Sequence, residues 1–147
     1  MSLQFSTISN ILLIEDTLSY QDLMRIAFEE NNLPHKLHIV SNGESALKFL
    51  RREKPYCNVP RPDLILLDLN LPKINGHELL KTIKEEPKFK IIPVIILTSS
   101  NAQKDIIKSY NLKANCYLNK PYNLQELINL VKISLNFWLN YSQLPQN

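Results

Sequence analysis

DLILLDLNLPKINGHELLKTIK, residues 63–84, carries a strand, a helix and a chemically loaded junction between them. Residues 63–67 form a nearly continuous apolar run, the pattern of a parallel strand covered on both faces. From Gly76 to residue 86, Leu79, Leu80 and Ile83 recur at helical spacing, and Pro87 ends the helix. Between the two stand Asp68, Asn70 and Pro72. Gly76 is one of only 2 glycines in the chain, and the other, Gly43, sits at a turn before another helix. Glycine is thus confined to points where the backbone has a use for it.

The same unit repeats on both sides of this stretch. Strands are expected over 10–14, 36–40, 93–97 and 115–118, and helices over 17–31, 44–52, 101–110 and from 123 onward. Thr17 or Ser19, Asn101 and Asn123 are placed to cap three of these helices. Ile106 and Ile107 are expected to face inward, as are Leu124, Leu127, Ile128 and Val131 of the last helix. Strands alternating with helices imply right-handed crossovers and a parallel sheet. Five such units match the flavodoxin-like (βα)5 fold, doubly wound, with strand order 2-1-3-4-5. Residues 54–62, with Pro55, Pro60 and Pro62, read as a surface loop.

A length of 147 residues suits one domain, with a core over about 10–132 and an extended C-terminal helix and tail over 133–147. With 44% hydrophobic and 21% charged residues the chain is neither disordered nor collagen-like nor a disulfide scaffold. A net charge of +3, scattered along the chain, gives no reason to expect nucleic acid as a partner. No apolar run approaches the ~18 residues of a membrane span, and MSLQFSTISN lacks the basic and apolar regions of a leader, so a cytoplasmic location is expected. Cys57 and Cys116 lie far apart with no histidine cluster, and read as two reduced thiols.

Ligands of open α/β sheets sit beyond the carboxyl ends of the strands. Those ends carry Glu15 and Asp16, then Asp68 with Asn70, then Thr98, Ser99 and Ser100, then Lys120 before Pro121. Crowded carboxylates resist ionising unless a cation is held among them. Mg²⁺ meets that need, with Glu15, Asp16 and Asp68 as carboxylate ligands and the Asn70 backbone carbonyl completing the protein's share. Lys120 and the Thr98 hydroxyl can then hold phosphoryl oxygens, and Asp68, at the end of the central strand, is the natural nucleophile for an aspartyl phosphate. Each residue alone is an ordinary strand-end polar group; the joint placement is what carries the reading. A flavin-binding electron carrier shares the fold but needs a phosphate-cradling first loop, where Glu15 and Asp16 would repel a phosphate. Asp68-Leu69-Asn70 also lacks the second carboxylate of an aspartate phosphatase.

Together, DLILLDLNLPKINGHELLKTIK, the Glu15-Asp16 doublet, IPVIILTSS (92–100) and ANCYLNKPYNLQEL (114–127) resemble the receiver domain of two-component response regulators. The likeness spans about 10–132. Within that family the chain is most similar to small single-domain regulators serving cyanobacterial phytochrome-type kinases, which share the proline loop before RPDLILLDLNLP, the NCYL segment and a C-terminal FWL. The resemblance implies a phosphoacceptor at Asp68 and Mg²⁺ held by Glu15, Asp16, Asp68 and the Asn70 carbonyl. It implies phosphoryl contacts from Thr98 and Lys120, a switch pair of Thr98 and Tyr117, and a cis Lys120–Pro121 bond. It also implies no enzymatic turnover beyond the receiver's part in its own phosphorylation and dephosphorylation. The expected partners are a sensor histidine kinase, phytochrome-type, and a separate downstream protein. Leu130, Ile133, Leu135, Phe137, Trp138, Leu139 and Tyr141 give the last helix an apolar surface beyond one stripe, which points to a homodimer through the helix 4, strand 5, helix 5 face and the C-terminal helix. The alternative is a receiver-like interaction module that works without phosphorylation.

Overall fold

The computed structural model describes residues 8–145. The leader reading of residues 1–7 and the last two residues of the tail fall outside that range. The chain alternates β1 (Ser9–Ile14), α1 (Leu18–Glu29), β2 (His35–Val40), α2 (Gly43–Arg51), β3 (Leu64–Leu67), α3 (Gly76–Glu85), β4 (Val94–Thr98), α4 (Gln103–Asn111), β5 (Cys116–Asn119) and α5 (Leu124–Leu135). A π-helical extension, Asn136–Tyr141, follows α5. All strand pairings are parallel, in the order β2-β1-β3-β4-β5. The flavodoxin-like fold expected from the sequence is the fold observed.

Strand side chains alternate between two cores, as the period of a strand demands. Leu12, Ile14, Ile65, Leu67, Val94 and Ile96 face α2 and α3, where Phe49, Leu79, Leu80 and Ile83 meet them. Ile11, Leu13, Leu64, Leu66, Ile95 and Leu97 face the other way, against Met24 and Phe28 of α1 and Leu127, Val131 and Leu135 of α5. Both faces of the central strands are therefore dry, which is why their sequences show no polar alternation.

Asparagine starts three helices: the side chains of Asn42, Asn75 and Asn123 accept from the backbone N–H groups of Ser45, Glu78 and Glu126. The expected cap at Asn101 is corrected. Helix α4 begins after Ala102, and Ser100 Oγ takes the Ala102 N–H instead. Ile107 is likewise corrected: it is exposed and Ile106 is half-buried, because the buried residue of α4 is the polar Ser109. Of the inner-face residues expected on α5, Leu127 and Val131 are buried and Ile128 packs against them, whereas Leu124 is exposed. Among the described residues no helix is long and apolar enough to cross a membrane.

Gly76 does more than open α3. A Cβ there would lie 2.4 Å from the Leu69 Cα and 2.5 Å from the Asp68 carbonyl oxygen, both backbone atoms, and the Gly76 N–H donates to the Leu69 carbonyl at 2.9 Å. The helix thus presses directly on the segment that carries Asp68. At Gly43 the tightest contact is with Ile74 Cβ at 3.1 Å, a side chain that can give way. Gly76→Ala is accordingly expected to destabilise the fold by about 3 kcal/mol and Gly43→Ala by under about 1 kcal/mol in urea denaturation. Equal losses would show that the β3–α3 approach is not the tighter constraint.

Candidate functional site

Parallel strands send all their carboxyl ends to one edge of the sheet, and four of them deliver the polar residues singled out in the sequence. Glu15 follows β1, Asp68 follows β3, Thr98 ends β4 and Lys120 lies just past β5. Glu15, Asp68 and Thr98 are 1%, 4% and 0% exposed, while Asp16 is open to solvent. The Lys120 ammonium stands between two carboxylates, 2.6 Å from Glu15 Oε1 and 2.9 Å from Asp68 Oδ2. The other carboxylate oxygens are held by backbone: Glu15 Oε2 accepts from the Thr17 N–H at 3.0 Å, and Asp68 Oδ1 from the Asn70 N–H at 3.3 Å. The first bond ties the start of α1 to the site, and neither Thr17 nor Ser19 makes a side-chain cap there.

Carboxylate oxygens of Glu15, Asp16 and Asp68 all lie within 4.8 Å of one another. Burial raises the Glu15 carboxyl above its ordinary value against the opposing pull of Lys120 and the Thr17 N–H. Burial also works against the charge on Lys120, but its bonds to Glu15 and Asp68 outweigh that and hold the ammonium above its ordinary range. With three carboxylates ionised and one ammonium present, the cluster carries two uncompensated negative charges. Three oxygen donors and a charge deficit of two fit a hard divalent cation.

Tyr20, on the first turn of α1, belongs to the site and was not found by sequence reasoning. Its ring centroid lies 4.6 Å from the Lys120 ammonium, and its hydroxyl donates to the Pro121 carbonyl at 3.0 Å. Burial, with Tyr122, Glu15 and Asp68 nearby, pushes that hydroxyl far up, so it stays neutral. The one available signal was an aromatic residue on the helical turn following the acidic doublet. Among the described residues the cis peptide is Lys54–Pro55, so the expectation of a cis Lys120–Pro121 bond is corrected. The lysine is aimed inward by other means: its N–H continues the ladder to the Thr98 carbonyl at 2.8 Å, and its ammonium is drawn by two carboxylates.

Beside this cluster, the loop after β4 is fixed by polar contacts. Tyr117 is half-buried, and its hydroxyl donates to the Ser100 carbonyl at 2.9 Å, where Asn119 Nδ2 donates also, at 2.8 Å. Ser100 Oγ donates to Asp105 Oδ2 at 2.5 Å, and the Ser100 N–H reaches Thr98 Oγ1 at 3.5 Å. Thr98, Ser100, Asp105 and Tyr117 are thus one connected set that touches the site through Thr98. Asp105 had no periodic or motif signal in the sequence, and Asn119 was not singled out although it lies within the segment ANCYLNKPYNLQEL.

The family model for the response regulator receiver domain matches residues 11–132. The response regulator Rcp1 of Synechocystis sp. is 44% identical over 135 residues, covering 92% of this chain and 92% of that protein. Among solved structures, the phosphorylated cyanobacterial phytochrome response regulator RcpA superimposes with a TM-score of 0.90 at 43% identity, over 95% of this chain and 100% of that one. The Mn²⁺-bound form of Rcp1 gives 0.86 at 43% identity, over 94% and 99%.

Removing one partner of a buried ionic network leaves charge stranded in the interior. Lys120→Met is therefore expected to cost about 3–5 kcal/mol in denaturant unfolding. Adding Asp68→Asn to it should recover part of that loss, since one stranded carboxylate becomes a neutral amide. A double variant whose loss equals the sum of the two single losses would mean that Lys120 and Asp68 are not coupled.

Proposed function

The chain belongs to the response regulator receiver family, and we propose that within it this protein accepts a phosphoryl group on Asp68 from a sensor histidine kinase and signals through protein contacts. The observation that carries this reading is the bridging of Glu15 and Asp68 by the Lys120 ammonium, with Asp16 alongside. In the transfer, the N–P bond of a phosphohistidine breaks as an Asp68 carboxylate oxygen forms the new O–P bond, and the imidazole departs. Glu15, Asp16 and Asp68, with the Asn70 carbonyl, are the residues that would hold Mg²⁺. That ion, when bound, supplies positive charge beside the oxygens of the phosphoryl group.

The protein's own groups do the rest. Lys120 exchanges its bond to Asp68 for one to a phosphoryl oxygen, a change that a three-donor ammonium on a flexible stem makes easily. The Thr98 hydroxyl donates to another. Because Ser100 is bonded to Thr98, Asp105 and Tyr117, a shift of Thr98 is felt by the loop and by α4. The face formed by α4, β5 and α5 then changes its affinity for a partner. A phytochrome-type kinase is the proposed donor, supported by the similarity to the cyanobacterial phytochrome response regulator RcpA.

A homodimer through that same face and the C-terminal helix is part of the proposal. Ile107, Tyr110, Tyr122, Ile133, Phe137 and Tyr141 are all exposed there, Ile133 at 70% and Tyr141 at 73%. Trp138 and Leu139, by contrast, pack against the core and steady the extension that presents Phe137 and Tyr141.

Incubation with acetyl phosphate followed by intact-mass analysis should give a single phosphoryl adduct that requires Mg²⁺ and is abolished by Asp68→Asn. An adduct that survives in the variant, or forms equally well in chelator, would sink the assignment. For assembly, sedimentation velocity should show a dimer that Ile133→Glu with Phe137→Glu converts to monomer. A wild-type monomer at high concentration, with and without phosphorylation, would remove the dimer.

A further inference from the structure

At the edge of the sheet opposite Asp68 lies a cleft of about 770 Å³, between the end of α2, the segment entering β3 and the segment joining α3 to β4. That size lies within the range of small-molecule sites. Leu50 and Phe89 are buried and give it an apolar floor. Arg51, Arg52, Arg61 and Lys88 contribute four cations to its lining, and Glu86 the lone carboxylate. Glu86 is already paired with Arg51. The lining therefore has an excess of three positive charges, as large as the net charge of the whole chain.

Arg61 gives this charge a direction. Its Nε and Nη2 atoms are buried and find no hydrogen-bond partner among the described residues. These two nitrogens share one edge of the guanidinium plane, the edge that takes a carboxylate or phosphate side-on through two parallel bonds. Buried donors of a charged group are seldom left unpaired, because water has been removed and nothing replaces it. The residue itself is half-buried and lines the cleft, so a turn of its terminal torsions presents the fork to an anion lying there. Arg52 adds an independent sign. It ends α2 at φ 55° and ψ 41°, a left-handed conformation that favours glycine or asparagine, yet the position holds an arginine whose side chain lines the same cleft.

We propose that this cleft binds a small organic anion, a carboxylate or phosphate carried on an apolar body. Arg61 grips the acid group side-on, Arg52 and Lys88 add charge at the rim, and Leu50 and Phe89 take the apolar part. The site is separate from the phosphoacceptor edge, and its occupancy does not require Asp68.

The test is a titration of the ¹⁵N-labelled full chain with benzoate and with benzylphosphonate, neither of which donates a phosphoryl group, and with benzyl alcohol as the uncharged control. Either acid should move the Arg61 Nε–H resonance and the Arg52 and Phe89 amides saturably, and benzyl alcohol should not. A response to one acid alone supports the site and identifies the headgroup. Arg61→Lys keeps the charge but loses the fork, and should bind about tenfold more weakly. Arg52→Gln, at an exposed position that leaves the core untouched, should weaken binding several-fold. The proposal is overturned if neither acid gives a saturable shift, if benzyl alcohol matches the acids, or if both variants bind as the wild type does.

Discussion

One ammonium group organises the carboxyl edge of this molecule. Lys120 sits just past an outer strand, yet its charge lies between carboxylates that follow β1 and β3, toward the middle of the sheet. Glu15 and Asp68 could not be buried together as anions without it. With it, each keeps a free oxygen that a backbone N–H satisfies, and those two N–H groups fix the start of α1 and the turn after Asp68. The Tyr20 ring covers one side of the ammonium and is itself anchored to Pro121. The pairing is thus the weld between strand ends, and under the proposed function it also leaves the lysine within reach of whatever is attached to Asp68.

The parts of this arrangement that follow from covalent neighbours or from strict periodicity were legible in the sequence. Buried parallel strands announce themselves by unbroken apolar runs, and the strand order follows from the handedness of crossovers, so the convergence of Glu15, Asp16, Asp68, Thr98 and Lys120 is implicit in the sequence. What was misread depended on choices between nearly equal local options. Asn101 is as good a cap as Asn75 by residue type, but Ser100, steadied by Asp105, takes the N–H of Ala102, and it is Ala102 that precedes α4. The Lys120–Pro121 bond has two accessible isomers, and periodicity says nothing about which one the surroundings select. Tyr20 was missed because its partner, Lys120, is a hundred residues away in sequence and only strand convergence brings the two together.

The two ends of the sheet have opposite electrostatic character. The carboxyl edge gathers Glu15, Asp16 and Asp68 around one lysine, and the other edge gathers Arg51, Arg52, Arg61 and Lys88 around one glutamate. A modest net charge of +3 conceals this division. Fields of this kind favour a cation at one end and an anion at the other. The left-handed Arg52 and the unpaired fork of Arg61 show the second edge departing from the cheapest local solution, as functional edges of folds commonly do.

The helix between the site and the outer face is held differently from the others. Helices α1, α2, α3 and α5 bury apolar residues against the sheet, whereas the buried residue of α4 is Ser109, bonded to His77 of α3 at 2.9 Å and to the Asp105 carbonyl at 2.7 Å. Apolar burial is non-directional and costly to undo, while a serine hydroxyl can trade one partner for another at small net cost. Local stability follows the density of buried apolar contacts, which makes α4 the least firmly held of the five helices α1 to α5. Its position is decided by a handful of polar bonds, and the Ser100–Asp105 bond among them leads back to Thr98. A rearrangement that starts at the carboxyl edge therefore has a mechanical outlet that leaves both apolar cores intact.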